Sequence, residues 1–167
     1  MKNKVKKTAL LGVLTGVALV LSYLEAIIPP IYAAVPGIKV GLPNIVVILI
    51  LYKFGVKEAV SVSFLRVFIV ALLFGNAMTL AYSLAGAFLS LAVMALFKRL
   101  DKFSAVGVSI IGGVAHNLGQ ILVAIVLLSS TLIGYYMIIL TITGTLAGVA
   151  VGIAGALLIK RMEKFLV

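Results

Sequence analysis

Ala115-His116-Asn117-Leu118-Gly119-Gln120 places the only histidine of the chain, an asparagine and a glutamine inside a long apolar run. Polar side chains at hydrocarbon depth are costly and turn toward a bundle interior or a cavity, so this hexapeptide is the first candidate for chemistry. His116 and Gln120 are four residues apart and stack on one helical face, with Asn117 beside Gln120 at a spacing of three. Arg66 is a second ionisable group inside an apolar run, about nine residues in and roughly 13 Å deep; His116 lies about 18 Å from the same side. Once the length of an arginine side chain is included, the two share a depth. A guanidinium stays charged, so Arg66 needs an acceptor: a carbonyl, Glu25 or Glu58, or an anionic ligand. Two uses fit: a polar clamp between helices, or one wall of a ligand cavity opening outward.

The segment Gly37-Ile38-Lys39-Val40-Gly41-Leu42-Pro43-Asn44 forms a second cluster. Its glycines permit tight turns, and Lys39 supplies a positive charge to a loop that can cap a cavity. Asn44 is placed to N-cap the helix that follows, turning its positive dipole end toward the same space. Glu25 stands about one helical pitch before Pro29-Pro30, where it can pair with Lys39 or line the rim. Lys39, Asn44, Arg66, His116, Asn117, Gln120 and Glu25 are therefore the expected ligand-binding residues.

Enzyme chemistry finds little support. No G-x-x-x-x-G-K-[ST] loop is present, so ATP hydrolysis by that route is excluded. Glu25, Glu58, Asp101 and Glu163 are too dispersed to hold Mg²⁺ against a diphosphate, and the lone histidine has no carboxylate partner in sequence. With no cysteine, thiol and disulfide chemistry are absent, and neither a metal nor a cofactor is expected. The chain reads as no enzyme by itself.

The elements that position these residues are membrane spans. Of 167 residues 64% are hydrophobic and 11% charged, more apolar surface than a soluble domain of this size can bury. The net charge of +10 sits at the ends of apolar runs and is not interleaved with aromatics, which favours anionic headgroups over nucleic acid. Six runs are expected to span as helices: residues 8–28, 44–54, 58–74, 78–97, 104–128 and 135–159. The first is too long for a signal-peptide core and is read as a retained helix. It stops at Pro29-Pro30, and the segment 29–43 contains all four prolines. The second is short for a full crossing and could be partly re-entrant.

Six spans put both termini on one side, together with every lysine and arginine except Lys39 and the intramembrane Arg66. The positive-inside rule then gives an N-in, C-in, multi-pass protein of a bacterial-type cell membrane, a single domain in the lipid bilayer. Small residues recur at four-residue spacing: Gly12 and Gly16; Ala77, Ala81 and Ala85; Gly144, Gly148, Gly152 and Ala156. Such stripes let helices approach closely, within the bundle or against a separate membrane subunit.

The string at 37–44, Leu65-Arg66, Leu73-Phe74-Gly75, Ser83-Leu84-Ala85-Gly86 and the hexapeptide follow one another as in a known family. The chain resembles heptaprenyl diphosphate synthase component I, a family grouped with the Gx transporters and similar to S-components of energy-coupling-factor (ECF) transporters. The resemblance spans nearly the whole chain, and His-Asn-Leu-Gly-Gln is its most specific part. It implies an all-α, six-transmembrane-helix, S-component-like bundle with a pocket near the outer face. It also implies docking to a transmembrane coupling subunit driven by two ATPase subunits, with Gly12 and Gly16 standing where such first helices more usually carry Ala. The leading expectation is thus a substrate-binding subunit for a small, anionic metabolite or vitamin. The alternative is a non-catalytic membrane component of prenyl diphosphate or quinone metabolism, since the Asp-rich motifs of prenyl transfer are absent.

Overall fold

The computed structural model describes residues 2–27, 41–129 and 131–166. They form six α-helices: α1 (Lys2–Ile27), α2 (Asn44–Lys53), α3 (Val56–Phe74), α4 (Ala77–Arg99), α5 (Ala105–Leu128) and α6 (Tyr136–Leu166), with a 3₁₀ turn at Thr131–Tyr135 before α6. Breaks between helices have local causes. Asn76 accepts from the Thr79 N–H at 2.9 Å while the Thr79 hydroxyl accepts from the Asn76 N–H, a reciprocal cap that starts α4 two residues after α3 ends. Ser104 caps α5 by accepting from Gly107 N–H at 3.2 Å.

Polarity runs inside out. Val13, Phe68, Leu72, Val126, Ile138 and Leu146 are exposed, whereas Arg66, Ser22, Ser63, Ser90 and Ser109 are buried. An apolar exterior around a polar interior is stable in lipid and not in water. Four helices (α1, α4, α5 and α6) are long and apolar enough to cross a membrane. The protein is an integral membrane protein. The remaining two helices fall short for different reasons. Charges at Lys57, Glu58 and Arg66 interrupt α3, and α2 has only 10 residues.

That short helix matches the expected second run, 44–54, which is short for a full crossing. At about 1.5 Å per residue α2 is roughly 15 Å long, half a hydrocarbon core. Val46 to Leu51 are all buried, with Ile50 and Leu51 at 0% exposure, because α1, α3 and α6 surround them. A helix sheathed in protein can begin at mid-depth, since neighbours rather than lipid meet its terminal backbone groups. Pro43, not Asn44, holds its N-cap position, and no side chain caps it; the first amides are satisfied by tight backbone bonds such as Asn44 N–H to Gly41 C=O at 2.9 Å. The expectation that Asn44 caps the helix is corrected: Asn44 is already its first residue.

Contacts gather one end of every helix pair with the chain's basic groups. Lys7 pairs with Glu58, joining the starts of α1 and α3. Lys98 Nζ donates to the Leu51 carbonyl at 2.6 Å and lies over the Tyr52 ring, so a cation at the end of α4 meets the negative end of α2. Ile159 and Met162 of α6 pack there with Leu10, Leu11 and Phe97 around the apolar core. Both ends of the described chain lie at this basic end. At the opposite end Tyr23 and Phe74 bring the tails of α1 and α3 together, ring centroids 5.4 Å apart.

α4, α5 and α6 form the most closely packed part of the bundle. A Cβ added at Gly119 would lie 2.6 Å from the Ala85 carbonyl oxygen, and one at Gly148 would lie 2.6 Å from the Ile110 Cα. The stripe Gly144, Gly148 and Gly152 therefore packs against α5. Gly12 and Gly16 are different: both are exposed, and an added Cβ would meet nothing within 4 Å.

Candidate functional site

A cavity of about 160 Å³ occupies the centre of the bundle, with wall residues from all six helices. On α4 the wall follows Thr79, Ser83, Ser90 and Met94, one helical face. On α5 it follows Ser109, Gly112, Gly113, His116, Asn117 and Gln120. Ser22 and Glu25 contribute from α1, Arg66 from α3, Thr143 from α6, and Gly41 and Asn44 from the head of α2. Hydroxyl, amide and charged groups from separate helices thus meet around one space inside the bundle.

Each residue of the hexapeptide has a separate part. His116 lies over Gly86 of α4, where a Cβ would come within 2.9 Å of its ring, and Gln120 lies over the same glycine. Gly86 thus creates the recess that seats both side chains. Asn117 turns the other way and its Nδ2 donates to the Leu140 carbonyl of α6 at 2.7 Å. Leu118 faces outward, Gly119 lets α4 cross closely, and Ala115 is buried. All three line the cavity, and Asn117 in addition links α5 to α6.

Arg66 is 9% exposed. Its Nη1 donates to the Ser22 hydroxyl at 3.3 Å, and its Nε is buried without a partner among the described residues. Arg66 lines the cavity, where the edge of its guanidinium can meet an acceptor, whereas its Nε is sealed within the protein. Of the acceptors expected for Arg66, Glu58 is engaged with Lys7. Glu25 acts on Arg66 electrostatically but makes no direct ion pair with it.

Glu25 is held instead by backbone. Its Oε1 accepts from the Gly41 N–H and from the Leu42 N–H, the latter at 3.3 Å, which ties the far end of α1 to the turn before α2. Gly41 has φ +80°, a left-handed conformation that suits glycine and aims its amide at the carboxylate. The proposed pairing of Glu25 with Lys39 involves a residue outside those described, as do the other residues at 28–40.

The cavity thus brings together six of the seven expected ligand-binding residues: Glu25, Asn44, Arg66, His116, Asn117 and Gln120. Ser22, Thr79, Ser83, Ser90, Ser109 and Thr143 were not expected. The spacing of 79, 83, 90 and 94 along α4 is a helical-face signal that could have found part of this wall. Among the described residues no three His, Asp or Glu side chains gather to make a metal cage.

A family model described as heptaprenyl diphosphate synthase component I matches residues 14–158 of the chain. The chain belongs to that family. No curated protein and no solved structure matches it. Within this member of the family, the matched stretch contains every described wall residue named above and leaves out the basic groups at Lys4, Lys6, Lys7, Lys160 and Arg161.

Proposed function

We propose that this family member is a substrate-binding membrane subunit of an ECF-type uptake transporter, taking a small metabolite or vitamin with an anionic group. The observation that carries the reading is the buried Arg66, its Nε unpartnered, on the wall of a polar cavity made by all six helices. The N-terminus of α2 adds a positive dipole end to the same wall through Gly41 and Asn44. The chain has no nucleotide-binding loop, so in this reading the energy of ATP reaches it through a coupling subunit and ATPases.

In this reading the protein is N-in and C-in with six crossings, the basic end facing the cytoplasm and the Glu25 end facing outward. α3 crosses with Arg66 turned inward and Phe64, Leu65, Phe68 and Leu72 turned to lipid. α2 makes half of the second crossing. Gly12 and Gly16, exposed on α1, are the docking stripe for the coupling subunit, since close helix approach needs small residues with nothing already against them. The cavity is comparable to the ~150 Å³ that accepts a benzene ring, which favours a ligand of that order.

A second reading is favoured by the family's description: a non-catalytic membrane component of prenyl diphosphate synthesis. A heptaprenyl chain far exceeds 160 Å³, so only the diphosphate could enter and the tail would lie in lipid. Affinity purification of the full chain separates the two. Co-purification of membrane coupling and ATPase subunits, lost in Gly12→Leu and Gly16→Leu, supports transport; co-purification of a soluble prenyl synthase subunit supports the alternative. If native mass spectrometry finds no small ligand on wild type, and Arg66→Gln leaves cellular uptake unchanged, the transport reading fails.

A further inference from the structure

The cavity holds two opposite charges and keeps them apart. Arg66 is tethered to Ser22, and Glu25 is tethered to the backbone of Gly41 and Leu42. Ser22 and Glu25 are three residues apart on α1, so they share a face with a rise of about 4.5 Å between them. Had the bundle needed only internal neutrality, the simplest arrangement would be a direct Arg66–Glu25 bridge satisfying both groups. No such bridge forms among the described residues, and Nε of Arg66 has no acceptor among them.

Glu25 retains capacity too. A carboxylate offers about four acceptor positions, of which the Gly41 and Leu42 amides take two. A ligand that carried only negative charge would satisfy Arg66 but meet the field of Glu25 in the same small space. A multiply charged anion would meet it most strongly. A ligand that carried only positive charge would face the Arg66 guanidinium and the positive end of α2. One chemical class suits both groups at once: a molecule with an anionic oxygen for the Arg66 guanidinium and an ammonium, or another strong donor, for Glu25.

Resting on the binding-subunit reading above, we infer that the ligand of this cavity is a small zwitterion of amino-acid type, its carboxylate on Arg66 and its ammonium on Glu25. The cavity's 160 Å³ suits a molecule of that size. His116 and Gln120, seated over Gly86, and Ser83 and Thr79 on α4 then form the wall met by the substituent. Glu25 also carries a consequence of this binding: it joins α1 to the head of α2, so a ligand ammonium drawing on the carboxylate acts on that tie.

The test uses the purified full chain in lipid nanodiscs and isothermal titration at neutral pH. The probes are alanine, serine and β-alanine as zwitterions, propionate and lactate as monoanions, propylamine as a cation, and inorganic phosphate. Wild type is expected to bind at least one zwitterion about tenfold or more tightly than every single-charge probe and phosphate. Glu25→Gln is expected to remove that preference, bringing zwitterion and monoanion to within about threefold, while Arg66→Gln weakens both by about 30-fold or more. Retained thermal unfolding transitions in both variants exclude misfolding as the cause. If propionate, lactate or phosphate binds wild type as tightly as the zwitterions and still depends on Arg66, the zwitterion inference is overturned and the anion-binding reading survives. If none of the probes binds, the inference is overturned as well. If binding occurs and ignores Arg66, the zwitterion inference is overturned, and so is the role of Arg66 in the binding-subunit reading, although binding itself stands.

Discussion

Replacing Arg66 with methionine separates a binding group from a structural clamp, because the first use predicts little change in stability and the second a large loss. Methionine is apolar and long enough to fill much of the space left by the arginine stem. The lost contact is a single bond to Ser22 at 3.3 Å, long for an N–H to oxygen bond. Even as a charge-assisted bond it is worth about 1.5–3 kcal/mol. Against this, the orphaned Nε costs about 1–3 kcal/mol while it stays buried and unpaired, and that cost disappears with the guanidinium. The two nearly cancel. Arg66→Met alone also strands the Glu25 carboxylate, so the clean comparison is the double variant Glu25→Gln/Arg66→Met. It is expected to unfold within about 1.5 kcal/mol of wild type when titrated with SDS in mixed micelles, and to have lost binding of the zwitterionic and anionic probes. A loss of about 3–5 kcal/mol in the double variant would refute the reasoning, because that is the scale of breaking a buried charged partnership that holds helices together.

The packing of the bundle supplies three further expectations. Gly119→Val should destabilise by about 1–3 kcal/mol, since even a Cβ would lie 2.6 Å from the Ala85 carbonyl, whereas Gly12→Ala should shift unfolding by less than about 1 kcal/mol; thermal unfolding in detergent compares them. Asn117→Leu should cost about 0.6–1.7 kcal/mol by removing the 2.7 Å bond to Leu140, plus strain from a bulkier group beside Gly144; an unchanged SDS midpoint would count against the clamp. Lys98→Met removes the cation from the end of α2 and should cost about 1–2 kcal/mol; hydrogen exchange should then quicken first at the amides of Phe54 and Gly55, which close the last turn of that helix.

Much of the architecture was legible because membrane spans are written in long apolar runs. The expected runs at 58–74, 78–97 and 104–128 coincide with α3, α4 and α5 to within a few residues. α1 and α6 extend beyond the expected 8–28 and 135–159 at the basic end, because a helix with exposed lysines can continue into water once it leaves lipid. The second run, 44–54, coincides with α2 as well, but its surroundings were not legible. Its residues are as apolar as any span, but protein rather than lipid surrounds α2, and hydropathy does not distinguish those surroundings. The site was legible through its costliest members, Arg66 and His116, and much less through Ser22, Ser90 and Ser109, whose hydroxyls can satisfy themselves on a helix carbonyl, as Ser22 does on Ala18.

By itself the sequence determined the depth of these groups. Counting residues along a helix at ~1.5 Å each sets Arg66 and His116 at comparable distances from the basic ends of their helices, and the position of the cations marks which ends belong together. Only the tertiary structure decided direction around each helix. In water a polar outer face reveals which side of a helix is buried; in lipid both faces are apolar, so that signal is lost. It therefore took the folded bundle to turn Asn117 toward α6, His116 and Gln120 toward Gly86, and to hold Arg66 and Glu25 on one cavity without letting them meet.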